Sequence, residues 1–115
     1  MEREEELIME SDNDLPICSL ITASFDGLQG LAVTLEHEDY EEPEYAYQVQ
    51  ATVGKEDVRL MAQNLGVSPP SLPSFLSSRF GNTSGTIAPS EAEAVFKEIL
   101  DFILDCGARY HLKRT

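Results

Sequence analysis

The chain has 115 residues, with 21 acidic and 8 basic side chains and a formal net charge of −13 at pH 7. This length predicts one domain with a single modest core. The charge disfavours nucleic acid and anionic membranes as partners, because both repel a protein of the same sign. No signal-peptide pattern and no long apolar run is present, which predicts a cytoplasmic protein without a membrane span.

The acidic residues are concentrated in the first half of the chain. Residues 1–57 contain 16 acids and two bases, whereas residues 58–115 contain five acids and six bases. A negative field of this kind speeds the encounter with basic proteins. The net charge is therefore mainly a property of residues 1–57.

The first half of the chain predicts an acidic arm followed by three strands. Residues 1–15 are acidic and weakly patterned, which favours a flexible arm, although the apolar residues 7–9 also suit a short edge strand. Residues 17–25 and 31–37 are apolar and rich in small or β-branched side chains, and the turn residues between them predict an antiparallel hairpin. Residues 45–53 alternate in polarity, as in a strand with one buried face.

Helical patterns begin after this third strand. Residues 55–65 place apolar side chains at helical spacing, and Gly66 suits a left-handed cap at the end of that helix. Three prolines restrict the next segment to turns and a short helix such as residues 73–79.

A long helix is predicted near the end of the chain. Ser90 and Glu93 form a capping-box pattern that predicts its start, and Gly107 lies just past its end. The tail from residue 108 alternates loosely and suits a last strand. The order of elements predicts one α+β domain over residues 16–115, in which an antiparallel sheet of three to four strands has two or three helices packed on one face.

The stretch EHEDYEEPEY at residues 36–45 contains six carboxylates and no basic residue. A metal site would need a second group of ligands, and an acid pair for catalysis would need a cleft that desolvates one carboxylate. Neither is indicated by the sequence. Two readings remain open: a solvated loop, or a surface in which acids and tyrosines recognise a basic partner.

The other reactive side chains suit structural roles. Cys18 and Cys106 lie in apolar segments, which predicts buried free thiols. His37 and His111 adjoin no nucleophile in a recognised local signature and are predicted to lie on the surface. The loop GNTSGT at residues 81–86 lacks the lysine and the spacing of a phosphate-binding loop. We therefore expect no metal, no cofactor and no enzymatic activity.

A short acidic α+β chain with the stretch EHEDYEEPEYAY and the arm MEREEE resembles the immunity proteins of contact-dependent growth inhibition and related polymorphic toxin systems. The resemblance implies a bacterial cytoplasmic protein that binds and blocks the C-terminal toxin domain of a cognate effector, often a nuclease with a basic cleft. The implied binding surface consists of Glu36, Glu38, Asp39, Tyr40, Glu41, Glu42 and Glu44.

Two other functions stay open at this point. An adaptor or structural subunit would use the same acidic half to bind another kind of basic protein. A small enzyme would need a pocket near His37, Cys18 or Cys106. The strand predicted at residues 45–53 could also pair with a second copy in a homodimer.

Overall fold

The structure is a computed structural model that describes residues 3–10, 17–26, 30–39, 41–42, 44, 46–80 and 89–114. The strands are β1 (Arg3–Glu10), β2 (Ile17–Asp26), β3 (Gly30–Asp39), β4 (Tyr47–Val53) and β5 (His111–Arg114). The helices are α1 (Lys55–Leu65), α2 (Leu72–Phe80) and α3 (Pro89–Asp105), and a short 3-10 helix at Pro69–Ser71 precedes α2.

The strands form one antiparallel sheet in the order β1-β2-β3-β4-β5. The first four follow one another along the chain, and β5 returns beside β4 after the three helices. The predicted α+β class, with an antiparallel sheet and three helices, is confirmed. The sheet has five strands because β1 and β5 both join it.

β1 replaces most of the predicted flexible arm. It pairs with β2 from Arg3 opposite Asp26 to Glu10 opposite Leu20, and the side chain of Ile8 is buried. An edge strand needs a partner on one side only and tolerates many charged residues, which is why its pattern looked weak. Residues 11–15, the rest of the predicted arm, lie outside the described residues.

β4 is an interior strand over part of its length. Val49 to Thr52 pair with β5 on one side, and the same residues pair with β3 on the other. A homodimer formed through this strand would have to displace one of these neighbours. The free edges of the sheet therefore belong to β1 and β5 within the part of the chain that the structure describes.

The core lies between the helices and one face of the sheet. Alternate strand residues point into it and are buried, whereas polar residues such as Thr22, Gln48 and Gln50 lie on the opposite face and are half-buried. Each leucine-sized side chain in the core contributes about 1.5–3 kcal/mol. The main buried side chains are Ile21, Ala23, Leu31, Val33, Leu35, Ala51, Val53, Val58, Met61, Leu72, Leu76, Phe96, Ile99 and Ile103.

The end of α3 lies where the sequence predicts it, but the start does not. Gly107 has a φ of 83° and its amide donates to the carbonyl of Leu104, so α3 ends where the glycine predicted. The start differs: α3 begins at Pro89, which places Ser90 inside the first turn rather than at the cap. Proline suits this first position because its missing amide hydrogen is not needed there.

A side-chain hydrogen bond joins the ends of two helices. The Asn64 amide nitrogen near the end of α1 donates to the Cys106 carbonyl oxygen at 2.5 Å. The last carbonyls of a helix have no partner within the helix, so this bond satisfies one of them. None of the helices in the described ranges has the length and apolar character needed to cross a bilayer.

The end of the sheet at Gly30 yields a stability prediction. Gly30 has a φ of 102°, and a Cβ atom there would collide with the carbonyl oxygen of Val53. We expect Gly30→Ala to lower the free energy of unfolding by about 1–3 kcal/mol, because strain and the collision act together. Chemical denaturation measures this change.

Gly54→Ala is the matched control. Gly54 has a φ of −66° and open space around a Cβ atom. Alanine stiffens the unfolded chain but is a poorer cap for α1, so the two effects offset each other and the change should stay within about 0.5 kcal/mol. Equal losses in both variants would contradict this account of Gly30.

Candidate binding surface

The predicted acidic surface lies at one end of the sheet, where β3 leaves it and β4 enters. Four of its side chains, at Glu38, Glu41, Glu42 and Glu44, are exposed, and Glu36 is half-buried. We call these five residues the acidic end. Of the remaining two predicted residues, Asp39 ends β3 but its side chain is not described, and Tyr40 lies outside the described residues.

The strand alternation of β3 separates its carboxylates from its histidine. Glu36 and Glu38 stand opposite Leu20 and Cys18 of β2, on the face that the helices leave uncovered. His37, between them, points to the helix-covered face and stands opposite Tyr47 of β4. The two carboxylates and the two rings therefore lie on opposite faces of the same strand pair.

Tyr47 joins three elements of the fold. Its ring stacks on His37 with 4.9 Å between ring centres, and the Arg114 guanidinium of β5 lies 4.9 Å from the Tyr47 ring centre. Its hydroxyl donates a hydrogen bond to the Glu93 carboxylate of α3. Cation–π contacts and aromatic pairs each contribute up to about 1 kcal/mol at partly exposed positions, so these contacts hold the ring in place.

The hydroxyl of Tyr47 is a hydrogen-bond donor at neutral pH. Burial raises the pKa of Tyr47 to about 12, and the hydrogen bond and negative charge of Glu93 act in the same direction. The positive charge of Arg114 acts in the opposite direction and only partly offsets them. The hydroxyl therefore keeps its proton and stays bound to Glu93.

The imidazole of His37 contacts the Ser19 hydroxyl on the neighbouring strand β2. The Ser19 hydroxyl and the His37 Nδ1 atom are 3.0 Å apart, and Ser19 is 1% exposed. A serine nucleophile must be reached by its substrate, and this hydroxyl is not. The pair serves to orient the imidazole. His37 is thus a half-buried, anchored side chain rather than the surface histidine that the sequence predicted.

An open depression lies at the same end of the sheet. Its volume is about 320 Å³, and it is bordered by residues of β3 and β4 and by Ala46 just before β4. The lining residues are Glu36, His37, Glu38, Ala46, Tyr47 and Gln48. A cationic side chain placed here would meet the carboxylates of Glu36 and Glu38, which can accept charge-assisted hydrogen bonds from lysine or arginine.

The sequence identified the acids of this site but not the aromatic pair on the other face of the same strands. The contacts of Tyr47 join residues that are far apart in the chain, and only the assembled sheet brings them together. The strand period does place His37 and Tyr47 on one face, but their pairing depends on the register. Tyr45, which shared the predicted role, lies outside the described residues.

The other reactive groups lie away from the acidic end or outside the description. Cys106 is a buried free thiol, as predicted; burial raises its pKa, and Asp105 adds to this effect. His111 is exposed on β5. The side chain of Cys18 and the loop at residues 81–86 are not described. Across the described ranges, no three potential metal ligands of the His, Cys, Asp and Glu types are grouped together.

Comparison of the chain with protein-family models, with curated proteins and with solved structures gave no match. A function for the acidic end must therefore be argued from its own geometry.

The Tyr47 hydrogen bond yields a prediction with a pH dependence. Near neutral pH, Tyr47→Phe should lower the free energy of unfolding by about 0.5–1.5 kcal/mol, because it removes the bond to Glu93. The folded state keeps the Tyr47 proton up to pH about 12, whereas the unfolded chain loses it near the ordinary value of 10.0. The stability from this raised pKa is thus complete below pH 10 and is lost as the pH rises to about 12.

Denaturation curves of wild type and Tyr47→Phe over this alkaline range measure the effect. The advantage of the wild type should shrink as the pH rises. Glu93→Gln is the control: it keeps an oxygen that accepts the bond but removes the charge, so the alkaline loss should become smaller. A constant difference between wild type and Tyr47→Phe across the range would contradict the assignment.

Proposed function

We propose that this protein is an immunity protein that binds and neutralises the toxin domain of a cognate effector in the bacterial cytoplasm. The acidic end is the contact surface, and a basic face of the toxin is its counterpart. The observation that supports this proposal is that Glu36 and Glu38 border the depression and belong to a strand that is held from the opposite face by the contacts of His37 and Tyr47.

The depression favours recognition over simple solubility. Acids that only keep a protein soluble need no fixed surroundings, whereas His37 is fixed by Ser19 and Tyr47 is fixed by Glu93 and Arg114. These contacts order the strand backbone that carries Glu36 and Glu38, so less conformational freedom is lost when a partner binds. An arginine or lysine that pairs with these carboxylates would therefore meet a partly preorganised site.

A nuclease is the toxin class that best matches this surface. Nucleases bind phosphates through clusters of cations, and such a cleft attracts an acidic surface by the same interaction. The exposed carboxylates Glu38, Glu41 and Glu42 would compete with phosphate, either within the cleft or beside it. The charge of the whole chain would also raise the association rate through electrostatic steering.

An adaptor that binds another kind of basic protein is the alternative function. One observation favours it: the exposed edge strand β5 offers a second surface of opposite charge. An adaptor would use two such surfaces, whereas neutralisation of a toxin needs only one. The two functions differ in the partner of the acidic end. Genetic linkage to a toxin domain supports immunity, and its absence contradicts immunity and leaves the adaptor.

Charge reversal at the acidic end tests the proposed contact. The variant Glu38→Lys, Glu41→Lys, Glu42→Lys should bind the toxin domain encoded beside its gene at least about tenfold more weakly, which is about 1.4 kcal/mol. It should also fail to protect cells that express this toxin. Calorimetry on the purified proteins and a co-expression growth assay measure the two effects.

A second triple variant separates the local effect from the change in net charge. Glu98→Lys, Asp101→Lys, Asp105→Lys reverses three exposed acids on α3 and changes the net charge by the same amount. It should slow association through weaker steering but keep most of the affinity and the protection. Equal losses in both triple variants would show that the acidic end is not the contact surface.

A further inference from the structure

The edge strand β5 leaves one side of the sheet open. It pairs with β4 between Thr52 opposite His111 and Val49 opposite Arg114, and no other strand in the described ranges covers its second edge. All four of its residues are exposed. The outward backbone groups of such a strand can pair with another extended chain.

A groove runs beside this edge, between β5 and α3. Its volume is about 300 Å³. Phe96 and Leu100 form the α3 wall and are nearly covered, whereas Leu112 on the β5 side is 55% exposed. Leu112 stands opposite Ala51 and therefore points to the helix-covered face. An apolar residue from an added strand would find a place against Leu112.

The edge and the rim of the groove are basic although the protein as a whole is acidic. Residues 109–114 contain three bases and no acid, and the exposed Lys97 of α3 lines the groove. The one carboxylate among the lining residues, Glu93, accepts the hydrogen bond of Tyr47. Charges more than about 8 Å away are largely screened at physiological ionic strength, so the local bases dominate at contact.

We propose that β5 binds an extended acidic segment of another protein by strand addition. The backbone of the segment pairs with the outer edge of β5, and an apolar side chain of the segment packs on Leu112 beside the groove. The next two residues of the segment are acidic. One lies beside Lys113 on the uncovered face, and the other lies beside Arg114 on the groove face.

A second copy of this chain does not suit the site. Two paired β5 edges would gather four cations, Lys113 and Arg114 of each copy, in one short strand pair, and this concentration of like charge opposes pairing. An acidic segment of a different protein instead places carboxylates against these bases.

The test uses the full chain, isotopically labelled for NMR, and the peptide acetyl-TEEVEET-amide at millimolar concentration. The peptide sequence is the same in both directions, so its valine lies between acids whether the peptide pairs with β5 as a parallel or an antiparallel strand. We expect saturable shifts at residues 109–114 and on the groove side of α3. The reversed-charge peptide acetyl-TKKVKKT-amide should not produce them.

Matched variants separate the edge from general charge effects. Lys113→Glu with Arg114→Glu should weaken peptide binding at least tenfold, whereas Lys55→Glu with Arg59→Glu, an exposed pair on α1, should leave it nearly unchanged. Leu112→Asp should weaken binding, and Leu60→Asp, at a leucine of α1 that is 40% exposed, should not.

Three results would overturn the proposal. One is the absence of shifts on β5 with the acidic peptide. Another is unchanged binding in the variant with Lys113→Glu and Arg114→Glu. The last is shifts on β5 that grow with protein concentration in the absence of peptide, because they would assign this edge to contacts between copies of the chain.

Discussion

The register between β3 and β4 decides what stands at the end of the sheet. It sets Leu31 opposite Val53, Leu35 opposite Val49 and His37 opposite Tyr47, so the apolar residues of both strands share the helix-covered face. A slip by one residue would turn the apolar side chains of one strand to the opposite face. The core therefore fixes the position of His37 and Tyr47, and with them the depression at the acidic end.

Tyr47 links this register to the rest of the molecule. Tyr47 is a lining residue of both the acidic depression and the groove beside β5. Its hydroxyl reaches α3 and its ring contacts Arg114, so the last helix and the last strand are attached to the same residue. The two surfaces of opposite charge thus share one residue.

Local patterns in the sequence predict much of this fold. The alternation in Tyr47–Val53 and the helical spacing of Lys55–Leu65 are periodic signals, and both elements form where they were expected. β1 was less visible, because half of residues 3–10 are acidic and the segment lacks a strong alternation of apolar and polar types. The start of α3 at Pro89 shows that a capping-box pattern at Ser90 was outweighed by the preference of proline for the first turn.

The sequence predicts the charge of the candidate site but not the contacts that hold its residues in place. A run of carboxylates can be read directly from residues 36–44, but the contacts that hold the underlying strands in place cross between strands and helices. Ser19 meets His37 across a strand pair, and Tyr47 meets Glu93 over 46 positions of the chain. Such contacts follow from register and helix docking, which no local pattern specifies.

The central claim is that the acidic end recognises a basic partner through local contacts as well as through long-range charge. Its most direct test is the map of backbone NMR shifts when the labelled chain binds the toxin domain encoded beside it. The account predicts the largest shifts at residues 36–48, including His37 and Tyr47. Large shifts confined to α1 or to β1, with residues 36–48 unchanged, would contradict it.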